Sequence, residues 1–262
     1  MIHINRLQLT KLKFTLKFTQ TTYLLPFIGN TLRGALGQSL YKNFPYAYQN
    51  ILKVDRGQSI PNPFVISVPY PSKGTYLAGE TLSFYVTLFG SACALEQNLI
   101  DAAKMICEGK LTNTQLIESQ QVYSRPWSDD GAKHIPSCNM LTIDFLTPTE
   151  IYVKSQLAKQ VEFTTFMDRL FGRISGILDN YSENEFILPY SLIANKPLVR
   201  SEYDLHVVKL RTGEQPIAGF CGQVRYYGDV TRYLPYIDLG SQIHIGKKTT
   251  RSCGQYVFSI TT

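Results

Sequence analysis

Near the end of the chain, His244, Lys247, Lys248 and Arg251 crowd into one short segment, HIGKKTTRSCG, with Gly246 and Gly254 set among and after them. Glycines let backbone N–H groups turn toward an anion at close range, and lysine and arginine supply positive charge. An imidazole, with an ordinary pKa of about 6.5, gives or takes a proton near neutrality. This set suits a phosphate backbone as ligand, with His244 as the first choice for proton transfer and Gly246, Lys247, Lys248, Arg251 and Gly254 as the phosphate-gripping residues. No acidic residue follows Asp238, so the local sequence neutralises none of these cations. A second set lies near the start: Arg33, Gly37 and Tyr41 fall at i, i+4, i+8, with Lys42 adjacent. On a helix they present a cation, a small gap and a phenol to RNA, with Tyr41 as a further candidate proton donor.

The charge distribution points the same way. The chain of 262 residues carries a net +6, and residues 1–54 hold seven Lys/Arg and no acid. All 20 acidic residues fall between 55 and 238. Basic ends around a slightly acidic centre indicate a polyanionic partner. Five cysteines, an odd number with no Cys-x-x-Cys pair, argue against a disulfide framework or zinc ribbon and fit a reducing cytoplasm. Neither a secretory h-region nor an apolar run of about 20 residues is present, so no membrane partner is expected. His3, His134 and His206 lack metal-ligand spacing, and no metal or cofactor is called for. Gly-Lys-Lys-Thr is not a P-loop, because Lys248 stands where that loop needs Ser/Thr and a strand follows.

The elements that must position these residues come in the same order twice. Residues 4–19 alternate as a strand, and Leu32, Leu36 and Leu40 mark a helix near 31–42 with Asn30 as N-cap. An irregular stretch, 49–62, precedes strands at 64–68 and 82–88. Leu95, Leu99, Ala102 and Ile106 give a second helix, and a strand follows near 114–124. The second half repeats this: a strand 140–146 stopped by Thr-Pro-Thr, a helix through Phe163 and Leu178, strands 198–210 and 217–227 joined by a turn at Thr212-Gly213, a helix near 230–239, and a last strand 255–260. The predicted fold class is α+β, with two tandem ferredoxin-like (βαββαβ, RRM-like) domains, each an antiparallel sheet covered by two helices. The domains are expected at 1–130 and 131–262, joined within the polar segment 125–137, where the lone Trp127 reads as an interface anchor.

The tail GFCGQVRYYGD, LPYIDLG and HIGKKTTRSCGQY resembles that of the CRISPR-associated RAMP endoribonucleases that process precursor CRISPR RNA. GNTLRGALGQSL and LSFYVTLFG extend the resemblance over most of the chain. It implies tandem ferredoxin-like domains and metal-independent cleavage of repeat RNA. In that reaction the substrate's own 2′-OH attacks the phosphate, giving 2′,3′-cyclic phosphate and 5′-OH ends. The implied partners are CRISPR repeat RNA in the precursor transcript and other Cas proteins of an effector complex. Such loops carry a glycine where this chain has Ser252, and first helices often carry a histidine where this one offers Gln38 and Tyr41. A catalytically silent RAMP subunit that binds guide RNA is the alternative reading. A generic RRM-like module is a third, disfavoured by the missing aromatic RNP signature.

Overall fold

Apolar residues at every second position of the opening segment become β1 (Arg6–Phe18) in the computed structural model, with Leu12, Phe14, Leu16 and Phe18 all buried. The structure describes residues 6–53, 60–108, 111–129, 137–182, 192, 197–210 and 216–261. By internal contacts the chain divides into two units: Gln8–Pro126 with Thr250–Ser252, and Met1–Leu7, Trp127–Thr249 with Cys253–Thr262. The expected boundary at 130/131, the Thr212-Gly213 turn, His3 and His134 lie outside the described residues.

In the first unit β1 is followed by β2 (Thr22–Tyr23), α1 (Gly29–Asn43), α2 (Pro45–Ile51), β3 (Phe64–Ser67), β4 (Thr75–Tyr76), β5 (Thr81–Phe89), α3 (Glu96–Met105) and β6 (Thr114–Ser128). The Leu32, Leu36 and Leu40 stripe of α1 is buried as its spacing requires. Two details differ from expectation. The helix begins at Gly29, so Asn30 lies in its first turn and no side chain caps it. A second helix, α2, occupies part of the stretch read as irregular; Pro45 sits in its first turn, where proline has no N–H to lose. β5 runs antiparallel to both β1 (Leu9↔Phe89 through Lys17↔Thr81) and β3 (Phe64↔Leu88). The sheet order is β3-β5-β1-β6, and β2 pairs with β4 as a separate ribbon.

The second unit runs β7 (Met140–Thr149), β8 (Tyr152–Val153), β9 (Gln156–Leu157), α4 (Phe163–Tyr181), β10 (Arg200–Leu210), β11 (Ile217–Tyr227), α5 (Leu234–Ile243) and β12 (Tyr256–Thr261). Its sheet order, β10-β11-β7-β12, matches the first: the second, third, first and fourth strands of a βαββαβ unit side by side. The chain thus folds as two tandem ferredoxin-like units with antiparallel sheets. Thr147-Pro148-Thr149 does not stop β7, as the sequence suggested. Pairing of β7 with β11 shifts register between Phe220 and Gly222, and Pro148 lies opposite that irregularity, where a missing N–H costs little. On α4, Phe166, Leu170, Ile174 and Ile177 are buried, each such side chain stabilising by about 1.5–3 kcal/mol. Phe145 meets Phe220 edge-on at 5.0 Å, and Phe163 meets Tyr226 at 5.3 Å. No described helix is long and apolar enough to cross a membrane.

Candidate nucleic-acid interface

The cationic loop starts where α5 ends. The final carbonyls of a helix need donors from outside it, and Arg173 on α4 supplies them. Its Nε donates to the Ile243 and His244 carbonyls at 3.0 and 2.8 Å, and its Nη2 to Ile243 at 2.7 Å. Burial lowers the pKa of Arg173 to about 10, so it remains a cation at neutral pH, placed at the negative end of the helix.

His244 turns the chain with φ +60°. Its side chain is 1% exposed, with Nδ1 3.2 Å from the Cys253 carbonyl. The ring expected to meet the substrate therefore lies inside the loop. The loop closes through Ile245 N–H donating to the Gly254 carbonyl (3.0 Å) and Gly254 N–H to the Pro148 carbonyl (3.1 Å). Gly246 and Gly254 hold φ of +80° and +73°. A Cβ on Gly246 would come within 2.7 Å of the Glu150 carbonyl, and one on Gly254 would overlap that of Ile245. The space beside both glycines is filled by the protein's own backbone.

The cations differ among themselves. Lys247 is exposed and holds its Nζ 4.7 Å from the ring centre of Tyr152. Lys248, its side chain 25% exposed, pairs with Glu150 Oε2 at 2.8 Å and donates to the Pro216 carbonyl at 3.2 Å. Tyr152 donates to Glu150 Oε1 at 2.9 Å, and that bond raises the pKa of the Tyr152 phenol. The local sequence offers these cations no acid, but the fold brings one from elsewhere. Glu150, just beyond β7, is brought to Lys248 by the fold and is itself buried.

Thr250–Ser252 group with the first unit. The Arg251 carbonyl lies against Gly29 at the start of α1, where a Cβ would overlap it. The Ser252 Oγ accepts a hydrogen bond from Val68 N–H at 3.2 Å, which gives the serine a use at a position with φ +71°. Arg33 follows Gly29 by one helical turn on the same face. Tyr41, 65% exposed, packs edge-on to Tyr48 at 5.2 Å, and Lys42 is exposed in the last turn. The structure thus groups Arg33, Tyr41, Lys42 and Arg251 in the first unit, and His244, Gly246, Lys247, Lys248 and Gly254 in the second. Gly37 leaves no open gap, since its Cβ position lies 3.6 Å from Leu52. Trp127 is buried, donating to the Pro235 carbonyl at 3.1 Å, and offers no stacking face.

Sequence reasoning missed Glu150, Tyr152 and Arg173. Arg173 carried a faint signal, a cation beside the apolar stripe of α4. The other two carried none, because the lysines they meet lie far along the chain.

The chain is two ferredoxin-like units in tandem with a cationic loop ahead of the final strand, the architecture of RAMP-type proteins. Residues 143–256 match the family model described as CRISPR-associated endoribonuclease Cas6, and residues 7–133 match an N-terminal domain model. Solved structures share the fold across nearly the whole chain. A Cas6 product complex is 16% identical with a TM-score of 0.65, covering 96% of this chain and 100% of that one. Thermus thermophilus Cas6 is 15% identical (TM-score 0.64, 99% and 100% covered). A chain of a partial Cas6-RT-Cas1–Cas2 complex is 12% identical (TM-score 0.70), covering 97% of this chain and 46% of that one. No curated protein sequence matches. The family match over residues 143–256 and the shared fold together indicate a CRISPR-associated protein of the RAMP fold, of the repeat-processing kind.

Proposed function

We propose that this endoribonuclease cuts the repeat in precursor CRISPR RNA without a metal, by in-line attack of the 2′-OH on the neighbouring phosphorus. The 2′-O–P bond forms and the P–O5′ bond breaks, so one proton leaves the 2′-OH and one is delivered to O5′. The products carry 2′,3′-cyclic phosphate and 5′-OH ends. The nucleophile belongs to the substrate. The protein's part is alignment, proton movement and neutralisation of the crowded phosphate.

The observation that carries this reading is the loop from His244 to Gly254, whose backbone is fixed by Arg173, His244 and two glycines while Lys247 stands exposed. On the second unit Lys247 is a phosphate ligand, with Lys248 joining once Glu150 is displaced; on the first, Arg33, Lys42 and Arg251 are phosphate ligands. The exposed hydroxyl of Tyr41 delivers the proton to O5′. His244, buried against Cys253, acts as a positioning residue that holds the loop. The medium is the cytoplasm, and partner Cas proteins fit the assembly in which one similar chain has been solved.

A labelled repeat RNA tests this, incubated with and without EDTA. Cleavage to a 2′,3′-cyclic end is expected in both. Tyr41→Phe should slow it by about 10²-fold or more while RNA affinity holds. His244→Ala should weaken affinity and stability together. Loss of cleavage in EDTA overturns the metal-free reaction, and an unchanged Tyr41→Phe rate removes Tyr41 from it. Tight binding by wild type with no cut makes the chain a guide-RNA-binding subunit.

A further inference from the structure

Beside Tyr41 the surface continues onto α2 in a pattern the cleavage reaction does not use. One face of α2 packs inward through Ala47, Ile51 and Leu52, all buried. The opposite face carries Tyr46, Gln49, Asn50 and Lys53 at i, i+3, i+4 and i+7, all exposed. Tyr46 is 73% exposed, and the Asn50 Nδ2 donates to its backbone carbonyl at 2.8 Å. Lys53 continues the stripe past the helix end, its N–H bonded to the Tyr48 carbonyl at 3.1 Å. An edge-on contact joins Tyr41, near the end of α1, to Tyr48 of α2. Every charged side chain before Asp55 is a cation.

An exposed ring, two amides and a lysine along one line are the groups that engage single-stranded RNA. The ring stacks a base, the amides read its edge and the cation takes a phosphate. A protein partner fits less well, since the large apolar side chains exposed on α1 and α2 are two tyrosines and no aliphatic residue accompanies them. We propose that the Tyr46–Lys53 face of α2 binds a single-stranded segment of RNA flanking the repeat. This inference rests on the reading of the chain as a repeat-cutting ribonuclease, with Tyr41 at the site of reaction.

Anisotropy titrations separate the two readings. The probes are a labelled repeat RNA and the same repeat extended at each end by a flank of about 8 nucleotides, the scale of a single-strand binding site. The extension should tighten wild-type binding about tenfold, the scale of one stacked base. Tyr46→Ala should erase most of that gain and Tyr46→Phe should keep it, because the ring and not the hydroxyl does the stacking. Lys53→Gln should lower the salt slope for the extended RNA by about 1. All three variants should bind and cut the bare repeat as wild type does. A flank that adds nothing to wild-type affinity, or a Tyr46→Ala protein that keeps the whole gain, overturns the site. Equal losses on both RNAs would move the face into repeat recognition instead. Failure of wild type to bind the bare repeat would sink the ribonuclease reading along with this one.

Discussion

The connection from second helix to fourth strand occurs twice in this chain and is built differently each time. In the first unit α3 passes to β6 through a 3₁₀ turn, Ile106–Glu108, and Thr114 Oγ1 closes the end by donating to the Leu111 carbonyl at 2.7 Å. In the second unit the same passage, from α5 to β12, is the long loop with positive φ at His244, Gly246, Lys248, Ser252 and Gly254. Both sheets have the same strand order, so the fold does not require the longer connection. It is added structure, held by an arginine, a histidine and two glycines, and it carries three cations and no acid. The cationic cluster thus sits on one elaborated connection of a repeated scaffold.

Glycine substitutions should break that contrast most sharply. Gly254→Ala places a Cβ on the Ile245 carbonyl in a left-handed conformation, and a loss of about 2–4 kcal/mol is expected in urea unfolding. Gly37→Ala, in the interior of α1 with ordinary clearance, should instead stabilise by about 0.5–1 kcal/mol. Next in size is Arg173→Met, which leaves the carbonyls of Ile243 and His244 without their charged donor and should cost about 1.5–3 kcal/mol. Lys104, in the last turn of α3, makes an exposed pair with Asp101 at 2.8 Å, and Lys104→Met should change stability by less than about 0.5 kcal/mol.

Charge removal sharpens the comparison through binding. Lys247→Ala combined with Arg251→Ala should weaken repeat RNA binding about tenfold or more and flatten its salt dependence by about two counterions. Lys104→Ala should do neither, and equal effects from both would deny the loop its distinct role. The smallest effect belongs to the first unit. A bond from Lys13, aided by one from Thr15, holds Glu118 below the ordinary carboxylate range. The stability this contributes is present above the unfolded value of about 4.3 and is lost as pH falls through the lower folded one. In carbon NMR Glu118 should therefore titrate low in wild type and return toward its ordinary value in Lys13→Met, with RNA binding unaffected.

Most of the scaffold could be read from periodicity. The alternation of β1 and the Phe163–Leu178 stripe of α4 fixed both elements, because burial on one face constrains every second, or every third and fourth, residue. What periodicity could not convey was context. Pro148 reads as a strand stop unless the register shift opposite it is known. The Pro45–Ile51 helix spans only about two turns, too few to announce a period. At the site, the cations and glycines were legible as a cluster, whereas their restraints were not. Glu150 meets Lys248, and Arg173 meets Ile243, through contacts set by sheet and helix packing. The burial of His244 likewise depends on Cys253 folding back over it.

The Glu150–Lys248 pair has a further consequence for what the loop tolerates. A carboxylate already seated on Lys248 is a resident competitor for every anion that approaches. Inorganic phosphate or a lone nucleotide meets that competitor with a single group. On the proposed reading an oligonucleotide arrives with several linked groups, and one held on Lys247 raises the local concentration of the next, which unseats Glu150. With those ligands, selection by chain length follows from the pair before any base is read.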